Sequence, residues 1–192
     1  MAGTYPSTPE FQAINVNSRH SNLMSETVSG KMQVRSIGGQ RWSFSAKYNP
    51  MVRSDFNPVY AFVMSQQGRL GTFSIIPPVI SSTTGTATGT MLANGAANAG
   101  SSSVAVDGFT GTIKAGDFIK FAGHTKVYMV TADQDGAGTL SIEPQLVSAV
   151  GDDEAVTYND VPFTMRLDND IQQYDLSANE YYEYEVDMIE VL

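Results

Sequence analysis

Between Arg41 and Tyr48 the chain reads RWSFSAKY, and every second residue is apolar. Trp42, Phe44, Ala46 and Tyr48 share one face of an extended chain, while Arg41, Ser43, Ser45 and Lys47 share the other. A period of two fits a half-buried antiparallel strand. The pattern returns near the end, where Tyr182, Tyr184, Val186 and Met188 alternate with Glu183, Glu185 and Asp187. Two such strands need a shared core and an outward polar face, which commits the chain to antiparallel β structure. The carboxylate row also suits pairing opposite Arg41 and Lys47, since opposite charges on facing strands stabilise modestly.

The remaining segments extend this reading. LMSETV and KMQVRSI flank Ser29-Gly30 and predict a tight hairpin within residues 22–37. One helix is predicted from about Ser54 to Gln67, with Ser54 as its cap, Asp55 and Pro58 in its first turn and Gly68 at its end. Its apolar stripe is Phe56, Val59, Tyr60, Val63 and Met64. A strand, Leu70 to Ile76, follows and stops at Pro77-Pro78. From Ser81 to Ser103 every residue except Met91 and Leu92 is Ser, Thr, Gly, Ala or Asn. Such a stretch buries little apolar surface by itself, so it reads either as a flexible arm or as extended segments lying on something else. Short strands are predicted after it, at 103–106, 117–121, 126–131, 139–142 and 155–158, spaced as in a small antiparallel barrel or sandwich. Strands of the first style, 161–167 and 181–191, close the chain. The expected fold is mainly β with one main α-helix. A discontinuous main domain, 1–78 plus 160–192, is interrupted by a small antiparallel β-barrel at 79–159 that begins with the Ser/Thr/Gly/Ala-rich arm.

Composition narrows the function. The chain has 192 residues, 42% of them hydrophobic and 16% charged, which can build a core. Cysteine is absent, which removes disulfides, thiolate nucleophiles and Cys-ligated zinc. The longest apolar run, Val59 to Met64, is too short to span a bilayer, and MAGTYPSTPEF shows no signal-peptide pattern. No membrane partner is expected. Neither a phosphate loop nor a nucleophile elbow is visible. His20 and His124 both read as water-exposed loop residues, and neither has a second histidine at ligand spacing. DQDGAG at 133–138 opens like a calcium loop but lacks the terminal glutamate at the right offset, and a hairpin turn explains it. Seventeen acids after residue 80 make carboxylate pairs unavoidable and each one uninformative. Tyr174, Tyr181, Tyr182 and Tyr184 suit sugar stacking or the cover of half a sheet. The expectation is therefore no catalytic residue, no metal, no cofactor and no enzyme activity.

The formal charge of −9 conceals a division. Residues 1–80 hold seven basic and three acidic side chains, +4; residues 81–192 hold four basic and seventeen acidic, −13. Twelve of the acids lie between Asp152 and Glu190, where Arg166 is the only base. Opposite fields on one chain can pair within the fold, meet across a contact between identical subunits, or remain solvated. The candidate interface charges are Arg35, Arg41, Lys47, Glu183, Glu185 and Asp187.

VSGKMQVRSIGGQRWSFSAKYNPM followed by FNPVYAFVMSQQGRLGTFSIIPP resembles the distal tail or baseplate hub proteins of tailed bacteriophages. The closing VPFTMRLDND and YYEYEVDMIEVL resemble the strands that complete the same barrel, and IKAGDFIKFAGHTKVYMVTAD is similar to a small β-barrel module of phage structural proteins. The resemblance implies a β-barrel or sandwich belt domain that assembles into a ring, usually of six subunits. The ring continues the tail tube at the tail tip or baseplate and anchors fibres, wedges or receptor-binding proteins. DNA passes through the lumen of such a ring without specific binding. Other classes with the same quiet chemistry are a capsid decoration protein, another virion structural protein, and a carbohydrate-binding module using the C-terminal tyrosines.

Overall fold

A computed structural model describes residues 3–192. The chain opens with strands β1 (Gly3–Thr4), β2 (Phe11–Arg19), β3 (Asn22–Glu26), β4 (Met32–Ser36) and β5 (Arg41–Tyr48). Helix α1 (Arg53–Ser65) and a 3-10 turn at Gly68–Leu70 lead to β6 (Phe73–Ile75). Then come β7 (Thr88–Ala93), β8 (Ser103–Thr110), β9 (Thr112–Ile113), β10 (Phe118–Phe121) and β11 (Tyr128–Val130). The last elements are β12 (Gln134–Asp135), β13 (Gly138–Glu143), β14 (Val156–Thr157), β15 (Phe163–Leu167), β16 (Tyr174–Leu176) and β17 (Tyr182–Glu190). The protein is mainly β, with one main helix. It divides into two compact units, one formed by the chain up to Phe73 with Met165–Leu192, the other by Ser74–Thr164.

The first unit is organised by a sheet of order β1-β6-β15-β17-β5-β2, with β16 also paired to β17. The two alternating segments are neighbours in it, antiparallel, with Met188 opposite Phe44 and Val186 opposite Ala46. Trp42, Phe44, Ala46, Tyr48, Tyr184, Val186 and Met188 are all buried, as their period demands. α1 covers this core through Phe56, Val59 and Val63. The Phe56 ring stacks on Tyr182 at 4.5 Å and lies 4.8 Å from Tyr174.

The helix departs from its sequence expectation in three ways. Val52, not Ser54, holds the N-cap position, and no side chain caps it. The Ser54 hydroxyl instead donates to the Asp55 carboxylate at 3.2 Å. Pro58 therefore falls inside the helix, which forgoes the bond from residue 58 to the Ser54 carbonyl. Met64 stays 54% exposed, because the apolar stripe narrows to three residues. The helix stops at Ser65, two residues early, and Gln67 adopts a left-handed conformation.

The second unit is a six-stranded antiparallel sheet of order β14-β10-β11-β13-β8-β7. Its outer strands meet through a bridge between Leu92 and Ala155 and an Ala93 amide that donates to the Glu154 carbonyl at 2.9 Å. The sheet is thus brought round on itself as a barrel, filled by side chains such as Met91, Val104, Val106, Ile119, Phe121, Tyr128, Leu140 and Ile142.

Between the two open readings of residues 81–103, the structure chooses extended segments over a free arm. The Val161 amide donates to Ser81, Thr86 donates to the Thr112 carbonyl, Ala97 pairs with Val150, and Gly100 donates to Leu146. β7 lies within this stretch and buries Met91 and Ala93. The small residues serve close backbone approach. A Cβ at Gly85 would sit 1.9 Å from the Thr112 carbonyl oxygen. At Gly108, whose φ is +75°, a Cβ would sit 2.4 Å from the Thr90 carbonyl, where β7 bulges against β8.

Asp117, buried at the start of β10, ties this stretch to the barrel. Its carboxylate accepts the amides of Thr84 and Lys114, each at 2.9 Å, and the hydroxyls of Thr83 and Thr84. Burial alone would raise its pKa, but these donors outweigh it and hold the group below the usual carboxylate value. A depressed folded pKa gives stability that is complete above the unfolded value of about 3.9 and is lost as pH falls through the lower folded value. Asp117→Asn removes that acid-dependent component and sets an amide against donors. Urea titrations at pH 7 should show a loss of roughly 2 kcal/mol, and the gap between variant and parent should narrow below pH 3.9.

Candidate functional site

Among the described residues no group of three or more His, Asp or Glu side chains is arranged to hold a metal ion. The carboxylates of the DQDGAG turn have protein donors. Asp133 accepts Lys114 Nζ at 2.7 Å and the Ala115 amide at 2.9 Å, and Asp135 accepts the Thr112 hydroxyl at 3.2 Å. The Lys114 ammonium lowers the pKa of Asp133 and has its own raised in return.

His20 lies exposed, 3.0 Å from the Ser18 hydroxyl. His124 corrects its expectation, since it is buried rather than exposed in a turn. Its Nδ1 is 2.8 Å from the Tyr128 hydroxyl and its ring packs against Phe121. The Tyr128 hydroxyl also accepts the Val147 amide at 3.2 Å, so the pair fastens a loop to the barrel. The C-terminal tyrosines act mainly as the seat of α1. Tyr184 is buried, Tyr182 is stacked on Phe56, and Tyr174 packs edge-on against Tyr60 at 5.1 Å.

The candidate interface charges lie on the first unit, and their registers sort them. Arg41, Lys47, Glu183, Glu185 and Asp187 are all exposed, while their strand neighbours in sequence are mostly buried. Lys47 is directly opposite Glu185, and Asp187 is opposite Ser45. Glu185 accepts the Ser45 hydroxyl at 2.6 Å. Arg41 is instead opposite Arg19 on β2. Arg19 in turn donates to Asp168 at 3.1 Å. Glu183 is opposite another acid, Asp175 on β16. Like charges directly across a sheet are destabilising, so the outer face keeps two unfavourable pairs, one basic and one acidic.

These pairs stand at opposite ends of the sheet. β5 and β17 run antiparallel, so the Arg19–Arg41 end is separated from the Lys47–Glu185 end by six residues of β5, about 20 Å at ~3.3 Å per residue. Beside the acidic pair is an open groove whose lining includes Lys47, Ile171, Gln173, Asp175, Glu183, Glu185 and Asp187. Beyond the basic pair the chain leaves β2 and returns to β5 through the β3–β4 ribbon, which carries Arg35.

That ribbon holds residues the sequence reading did not single out. β3 and β4 pair only with each other, and every residue from Ser21 to Gly39 is exposed. Met24 is opposite Val34 and Glu26 is opposite Met32, so the two methionines and Val34 share one uncovered face. The available signal was the hairpin motif combined with apolar residues that have no partner strand in the sequence pattern.

A search among curated proteins finds no match. A sequence-family model described as "Distal tail protein pb9, B domain" matches residues 65–161, half of the chain, from the end of α1 through β14.

Proposed function

Because this chain belongs to the distal tail protein family defined by that B domain, and is thereby a structural component of a phage tail and of the virion, we propose that it forms a ring at the tail tip or baseplate. The ring continues the tail tube and anchors fibres, wedges or receptor-binding proteins. The family match over residues 65–161 carries this reading. The division of exposed charge on the first unit supports it, because two different and complementary patches favour head-to-tail contacts, which close into rings when the rotation allows. Six subunits is the proposed number, the lumen is a passage for DNA rather than a binding site, and the role is non-enzymatic.

Native mass spectrometry across a salt series tests the ring. A higher oligomer, weakened as salt rises, is the expected result. A strict monomer at every protein and salt concentration counts against it. Immunogold labelling of virions with an antibody to this chain separates the tail reading from capsid decoration. Label at the tail tip is expected, and label over the capsid shell overturns the assignment.

A further inference from the structure

Residues directly opposite across a sheet share a face, as do residues two apart along a strand. By that rule the outer face of the first unit's sheet gathers three arginines. Arg41 is opposite Arg19, Ser43 is opposite Ile189, and Ile189 is opposite Arg166. Two acids stand near them on the same face. Asp168 accepts one nitrogen of Arg19 at 3.1 Å, and its amide donates to the Asp187 carbonyl at 2.9 Å. Among the described residues neither Arg41 nor Arg166 forms an ion pair. Arg19 and Arg41 both line an open pocket of about 470 Å³. Ile37 and Ile189 give it apolar walls, and Ser21 adds a hydroxyl. Gly38 and Gly39, with φ of +81° and +73°, complete the lining and add no side chain to block it. The pocket thus holds two guanidiniums and no carboxylate.

We propose that this pocket binds a small tetrahedral oxyanion of the phosphate or sulfate class. A guanidinium is a planar fork of N–H donors that matches two oxygens of such an anion. Arg19 keeps donors beyond the one turned to Asp168, and Arg41 keeps all of its own for the ion. The two forks reach one ion from neighbouring strands, and its charge removes the repulsion that the Arg19–Arg41 opposition otherwise leaves in the sheet. Arg166, across the sheet from Ile189, adds a third positive charge to the field. The site is complete within one copy, so it stands or falls apart from the ring.

Inorganic phosphate is the probe, titrated near neutral pH against chloride at matched ionic strength, so that screening stays constant. Calorimetric titration should show saturable binding, and the melting temperature should rise with phosphate as mass action requires. Arg41→Gln replaces an exposed side chain, so it should fold as the parent does and weaken phosphate binding roughly tenfold. Arg41→Lys keeps the charge and loses the fork, and its affinity should fall between the two. Lys31→Gln, an equal loss of charge at the turn of the ribbon, should leave the affinity unchanged. A parent that gains nothing from phosphate over chloride overturns the site. So does an equal gain in the parent and in Arg41→Gln, which marks a general salt effect on hydration. A duplex oligonucleotide that binds more tightly than phosphate, and loses its binding in Arg41→Gln, overturns the small-ion assignment in favour of a nucleic-acid backbone. A ring in native mass spectrometry with no response to phosphate overturns this site alone.

Discussion

Gly85→Ala should lower the stability of the protein by roughly 3 kcal/mol, at the upper end of what overpacking usually costs. The added Cβ would lie 1.9 Å from the Thr112 carbonyl oxygen. The obstacle is backbone rather than the end of a flexible side chain, so no rotamer change relieves it. One or both segments must move apart, which strains the bond from the Thr86 amide to that same carbonyl. Urea unfolding followed by far-ultraviolet circular dichroism reads the loss as a lower midpoint at unchanged slope. Gly95→Ala is a useful contrast. Nothing lies within 4 Å of its added Cβ, so its cost is the positive φ of 87° alone, roughly 1 kcal/mol. If Gly85→Ala proves no worse than Gly95→Ala, the close crossing of residues 85 and 112 is wrong.

Phe56→Ala should cost about 3–4 kcal/mol, in the range for deleting a buried aromatic ring. Phe56 is 3% exposed and touches Tyr60, Tyr174, Tyr182 and Tyr184, so its removal opens a cavity among rings that cannot all collapse into it. Met64→Ala, eight residues along the same helix, should stay within ~0.5 kcal/mol because the methionine already faces water. Trp42, the chain's single tryptophan, is buried in the same unit and supplies a fluorescence signal for both variants. Equal effects at the two positions would mean that the helix is docked on a different face.

What the sequence made legible follows from how strongly each segment obeys one period. β5 and β17 up to Met188 follow a period of two, so their apolar core faces could be named residue by residue, whereas the burial of Ser43 on the outer side and the reversal at Ile189 and Glu190 could not. β2 escaped notice because FQAINVNSR is exposed at most positions and carries few apolar residues at the spacing of two. Missing β2 concealed the Arg19–Arg41 opposition, since Arg41 had no visible neighbour except the distant acidic row. The small-residue stretch left two readings open for a different reason. Its composition shows little apolar area, but its order comes from backbone hydrogen bonds and from the buried side chains of Ala87, Met91 and Ala93. His124 was hidden by distance in space. A histidine between two strands reads as exposed unless one knows that Tyr128 will place its hydroxyl 2.8 Å away. The exposed charges were legible as exposed; their pairing needed the register.

The opposed like-charge pairs also bear on how two free copies meet. Copies that approach with matching ends bring arginine toward arginine or carboxylate toward carboxylate, and they repel. Copies that approach with unlike ends attract. At physiological salt this discrimination acts over about 8 Å, within the last stage of an encounter. The sheet is therefore a vector as well as a surface: its two ends differ in sign, so an approaching copy meets a direction before any side chain touches.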